Sequence, residues 1–121
     1  GFLMKHPTAI GVMETIGGDG YMAGGALLGR EAPLFFESVW RKDYATAKRI
    51  AARERALASI LYDARLTVQR YGRGYASRLK AVMNVAGQPA GFPRFPQLPV
   101  DDPASLQDIR ERLTRIGIPV V

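Results

Sequence analysis

Apolar residues recur along this chain at two different periods. Phe2-Leu3-Met4 is a short apolar run of the kind that forms a buried strand. His6-Pro7-Thr8 then opens a helix, because proline is tolerated at the first helical position. Ile10, Met13 and Ile16 lie on its apolar side, and Gly17-Gly18 ends it. Asp19 to Gly24 reads as a second short strand, glycine-rich and so closely packed against something. Strand, helix, strand in this order is the minimal crossover that pairs parallel strands.

After Gly29 the period is helical almost throughout. Pro33 sits near the start of a helix carrying Phe35, Phe36, Val39 and Trp40, more apolar area than two strands can cover. Asp43 caps a longer helix with apolar positions Ala47, Ile50, Leu57, Leu61, Ala64 and Val68, broken at Gly72-Arg73-Gly74. The next runs from about Ala76, with Leu79, Val82, Met83 and Ala86 on one face. The last starts near Asp102-Pro103, uses Leu106, Ile109, Leu113 and Ile116, and stops at Gly117. Two parallel strands cannot form a sheet with both faces covered. The pattern therefore predicts an α/β fold, the last two strands of a larger architecture followed by appended helices.

Composition narrows the class. A chain of 121 residues, 47% hydrophobic and 23% charged, is one globular domain's worth or less. No run approaches the roughly 18 apolar residues that span a bilayer, so no membrane partner is expected. The first residues lack the order of a signal peptide, and the absence of cysteine excludes disulfides and thiol chemistry. A cytoplasmic location fits. The net charge of +6 is concentrated, since eleven Lys or Arg and only three Asp or Glu lie between Arg41 and Lys80. Such a stretch can mark a nucleic-acid surface. The nearby Tyr62, Tyr71 and Tyr75 are not interleaved with the charges as a stacking platform requires, which speaks against nucleic acid.

Candidate chemistry is sparse. Gly18-Asp19-Gly20 precedes a strand where a phosphate-binding fingerprint would follow one. His6 is the single histidine, so a histidine cluster for a metal is excluded, although it stands at the carboxyl end of the first strand, where α/β proteins place their sites. Lys5 beside it would need desolvation to act as an imine-forming amine. No spacing pairs Glu14, Asp19 or Glu31 for acid–base work, and no serine sits in a nucleophile elbow.

One stretch is more telling. The helix around Lys80 ends at Gly87, and Arg94-Phe95-Pro96-Gln97-Leu98-Pro99 follows as a stiff strap. This run resembles the carboxy-terminal signature of the dihydrodipicolinate synthase / N-acetylneuraminate lyase family. Gly17-Gly18-Asp19-Gly20-Tyr21-Met22 is similar to that family's entry into its eighth barrel strand. Asp43 to Ile50 is similar to its Gly-Asp/His-x-x-x-Ala stretch, and Leu106 to Gly117 to its last helix.

The resemblance implies the last two strands of a (β/α)8 TIM-type barrel, with residues 1–42 as the barrel's end and residues 43–121 as a helical extension. It implies a Schiff-base lyase or aldolase acting on pyruvate or a related 2-oxo acid, without a cofactor or metal, in a homo-oligomer (dimer or tetramer). The imine lysine and its tyrosine then lie upstream of Gly1. This segment would supply barrel closure and assembly, and alone would be inactive. Met22 falls where the family's main chain lines the keto acid, and Lys5 or His6 falls at the exit of strand 7. A glycine is usual at that exit, and Ala26-Leu27-Leu28 stands where an asparagine is frequent, so the carboxylate site departs from the family's form. The contrasting expectation is a small basic helical module that binds nucleic acid or a partner protein.

Overall fold

The computed structural model describes residues 3–4, 10–17, 20–21, 27–63 and 74–121. Along them the chain forms β1 (Leu3–Met4), α1 (Ile10–Ile16), β2 (Gly20–Tyr21), α2 (Glu31–Trp40), α3 (Tyr44–Leu61), α4 (Tyr75–Val85) and α5 (Pro103–Arg115). β1 and β2 pair in parallel, Leu3 with Gly20 and Met4 with Tyr21.

Two residues a side make a bridge, not a barrel wall, whose strands run for several residues and pair on both edges. The described residues are otherwise helical or irregular. The expected α/β class, the last two strands of a TIM-type barrel, is therefore corrected to a helical fold. The physical reason is visible in the pattern itself. The strand-like runs are short and the second is rich in glycine, whereas the helical period organises much of the apolar content after Gly29.

The described chain divides into two compact units, residues 1–56 and 57–121, with the division falling inside α3. In the first, Ile10 and Met13 of α1, Phe35 and Val39 of α2, and Ala47, Ile50 and Ala51 of α3 form one buried cluster. Within each helix these positions fall three or four apart, Ala51 standing beside Ile50, the spacing that lines one face of a helix. Phe36 packs against this cluster and meets Phe35 edge-on at 5.8 Å. The unit thus covers most of the α2 face that the sequence left unattended. Trp40 alone of those four aromatic and aliphatic side chains stays 65% exposed.

The turn between α2 and α3 is tight. Arg41 donates its backbone N–H to Glu37 O, Lys42 to Val39 O and Asp43 to Ser38 O. Lys42 closes this loop at φ 61, a left-handed conformation usually left to glycine. Asp43 then accepts the N–H of Thr46 at 3.1 Å and so caps α3.

In the second unit α4 packs on α5. Ala81, Val82 and Val85 of α4 are buried, as are Ile109 and Leu113 of α5. Both helices end in the same way: the residue after the cap is a left-handed glycine, Gly87 (φ 77) or Gly117 (φ 74). Gln88 N–H reaches back to Met83 O and Ile118 N–H to Leu113 O. Orphan carbonyls are satisfied, and the chain turns sharply.

After Gly87 the strap runs back along α4. Lys80 Nζ donates to Ala90 O at 2.6 Å. Asn84 clasps the same point, its Oδ1 accepting from Ala90 N–H and its Nδ2 donating to Gly91 O, both at 2.9 Å. Further on, the Gln97 side chain lies over Gly74 and takes a long 3.4 Å bond from Ser77 Oγ at the start of α4. Prolines at 93, 96 and 99 remove backbone donors and fix φ, so the strap keeps this path at low entropic cost.

Candidate binding cleft

The strap, α4 and α5 border an open cleft of about 300 Å³ in the second unit. From α4 it receives Ala81, Val85 and Asn84, one helical turn apart. Leu106 and Arg110 face it from α5 at the same i,i+4 spacing. Phe92, Val100 and Asp101 complete its lining. Ala81 is the smallest of the side chains that line it.

The lining is mostly apolar with three polar groups. Asn84 is spent on the strap. Asp101 is exposed and has a partner of its own. Arg110 uses Nε, which donates to Val121 O at 3.2 Å. Its two Nη groups meet no hydrogen-bonding partner among the described residues. Nothing in the sequence reading singled out Arg110. The signal was available: it stands four residues after Leu106 on the helix face that supplies the core.

A second arginine was also missed. Arg78 is only 6% exposed, its Nε donates to Leu61 O, and its buried Nη1 has no hydrogen-bonding partner among the described residues. It occupies the stripe that continues through Val82 and Val85, so its burial follows from periodicity.

Lys5, His6 and Met22 lie outside the described residues. So do Ala64, Val68 and the Gly72-Arg73 break. No group of three or more His, Cys, Asp or Glu is placed to hold a metal among the described residues. No described helix is long and apolar enough to cross a membrane.

The basic stretch is dispersed rather than gathered. Lys48 pairs with Glu14 at 2.5 Å, Arg53 with Glu31 at 2.5 Å and Arg41 with Glu37 at 3.9 Å. Arg78 and Lys80 turn inward to backbone carbonyls. Arg112, beyond that stretch, joins Asp63, Asp108 and the carbonyl of Ser59. Among titrating groups, Asp43 is shifted: its hydrogen bonds with Thr46, and then the nearby Arg49 charge, hold its carboxyl below the usual range.

Comparison with known proteins gives no match to a family model, to a curated protein or to a solved structure.

Proposed function

We propose that this chain is the helical carboxy-terminal part of a Schiff-base lyase or aldolase acting on pyruvate or a related 2-oxo acid, and that its share is assembly, not chemistry. The observation that carries this reading is the strap. Its motif residues cooperate in space: Lys80 holds Ala90, Gly87 makes the left-handed turn, and Arg94 to Pro99 lies back along α4. A second piece supports it. Lys42-Asp43-x-x-x-Ala47 stands where the resemblance has Gly-Asp-x-x-x-Ala, and Lys42 takes the left-handed conformation that a glycine there would explain. On this reading the imine lysine precedes Gly1, Met22 with Lys5 or His6 borders the keto acid, and copies of the protein associate.

The isolated chain should form no imine. Incubated with pyruvate, reduced with borohydride and weighed by mass spectrometry, it should keep its mass. A stoichiometric adduct on Lys5, Lys42, Lys48 or Lys80 would overturn the division of labour.

A basic helical module that binds a partner protein is favoured by one observation. Phe92, Phe95 and Leu98 of the strap are 72%, 90% and 43% exposed, a cluster of the sort that marks contact surfaces. The scattered, paired cations give the nucleic-acid form of that reading no continuous stripe among the described residues.

A further inference from the structure

The geometry points to the cleft between α4, α5 and the strap as a binding site for a small apolar monocarboxylate, one with an aromatic or branched aliphatic tail. Here about 300 Å³ is left open beside Ala81, at the lower end of the range of about 300–1,000 Å³ typical of ligand pockets. One ring or one branched chain suits such a space.

Charge then selects the head group. Arg110 borders the cleft and spends only its Nε, on Val121 O. The remaining face of a guanidinium offers parallel donors that match a carboxylate. Beside apolar walls the pairing is stronger than in bulk water. Asp101 also lines the cleft and, as a carboxylate, offers no attraction to a second negative charge, so a monoacid suffices. The tail meets Val85, Val100 and Leu106, and the exposed Phe92 ring can close over it.

The test uses the chain with methyl-labelled valine and leucine, titrated with 3-phenylpropanoate while Val85, Val100 and Leu106 are followed by NMR. Ligand-efficiency bounds for so small a molecule put half-saturation in the low millimolar range. The uncharged amide of the same acid should bind about tenfold more weakly or worse, since it forfeits a charge-assisted pair. Arg110→Met, which keeps an apolar stem, should lose a similar factor, and Ala81→Leu should abolish saturation by filling the space. Absence of saturable shifts, or equal binding of acid and amide by the unmodified chain, overturns the assignment without reference to any variant. Unchanged affinity in a folded Arg110→Met overturns it as well. The lyase reading stands or falls separately, on imine formation.

Discussion

Lys42 is the residue whose conformation costs the chain most visibly. A non-glycine residue at φ 61 is disfavoured by contact of its Cβ with the following carbonyl, by about 1–2 kcal/mol. Lys42→Gly removes that contact but loosens the unfolded chain, so a net gain of up to about 1 kcal/mol is expected in urea denaturation. A loss of stability would mean that the Lys42 side chain makes a contact that matters more than the strain. The reverse change at Gly87 should be harmful. Its φ is 77, and a Cβ built there meets Val121 Cγ1 at 3.0 Å. Gly87→Ala should cost about 1 kcal/mol or more, and Gly91→Ala, with φ 63 but open space around it, should cost less. Equal losses at the two positions would show that the Val121 contact adds nothing.

Asp43 adds a pH dependence of known sign. Its carboxyl titrates lower in the folded chain than in the unfolded one, because the ionised form accepts from Thr46. The stability it contributes is therefore present above the ordinary carboxylate range and is lost as pH falls through its lowered folded value. Asp43→Asn keeps the cap and does not titrate. Thermal melts at neutral and strongly acid pH should thus show a smaller acid-induced loss for Asp43→Asn than for the unmodified chain, and parallel losses would contradict the assignment.

At the scale of elements, α5 shows how helix ends and helix faces divide the work. Asp102 accepts the N–H of Ser105 at 2.9 Å, Pro103 occupies the first turn, and Arg112 and Arg115 stand in the last turn, where cations are favoured. Its interior face carries Ile109 and Leu113, both fully buried. Asp102→Ala should cost about 1 kcal/mol as a lost cap. Leu113→Ala should cost about 2–5 kcal/mol as a cavity. Denaturant midpoints for the two variants check the ranking, and a cap loss larger than the core loss would invert this account of α5.

These elements were largely legible in the sequence. Asp43, Asp102-Pro103, Gly87 and Gly117 marked helix ends, since each supplies a cap or a left-handed turn that other residues supply poorly. What was not legible is equally physical. Phe2-Leu3-Met4 is a short apolar run and Asp19 to Gly24 a glycine-rich one, but such runs cannot say how many partners a strand will find, and here the described pairing is two residues long. The cleft was hidden for a related reason. It is lined by residues of two helices and the strap, and register between helices is not written in either one alone.

At the scale of the molecule, the first unit closes over Phe35 and Val39 but leaves Trp40 bare, next to Phe36 at 5.9 Å. If copies associate through this face, Trp40 emission should be blue-shifted at high concentration and move red on dilution, in step with a falling mass in light scattering. A monomer by scattering, with emission insensitive to concentration, would leave the association proposal without support from this face.

We propose that the chemistry belongs to a lysine outside this segment. It is tested most directly by imine trapping on the polypeptide expressed from its natural start. That protein is incubated with pyruvate, reduced with borohydride, digested and mapped by mass spectrometry. The account predicts one pyruvyl adduct per chain, on a lysine that precedes Gly1. An adduct within residues 1–121, or none at all, would contradict it.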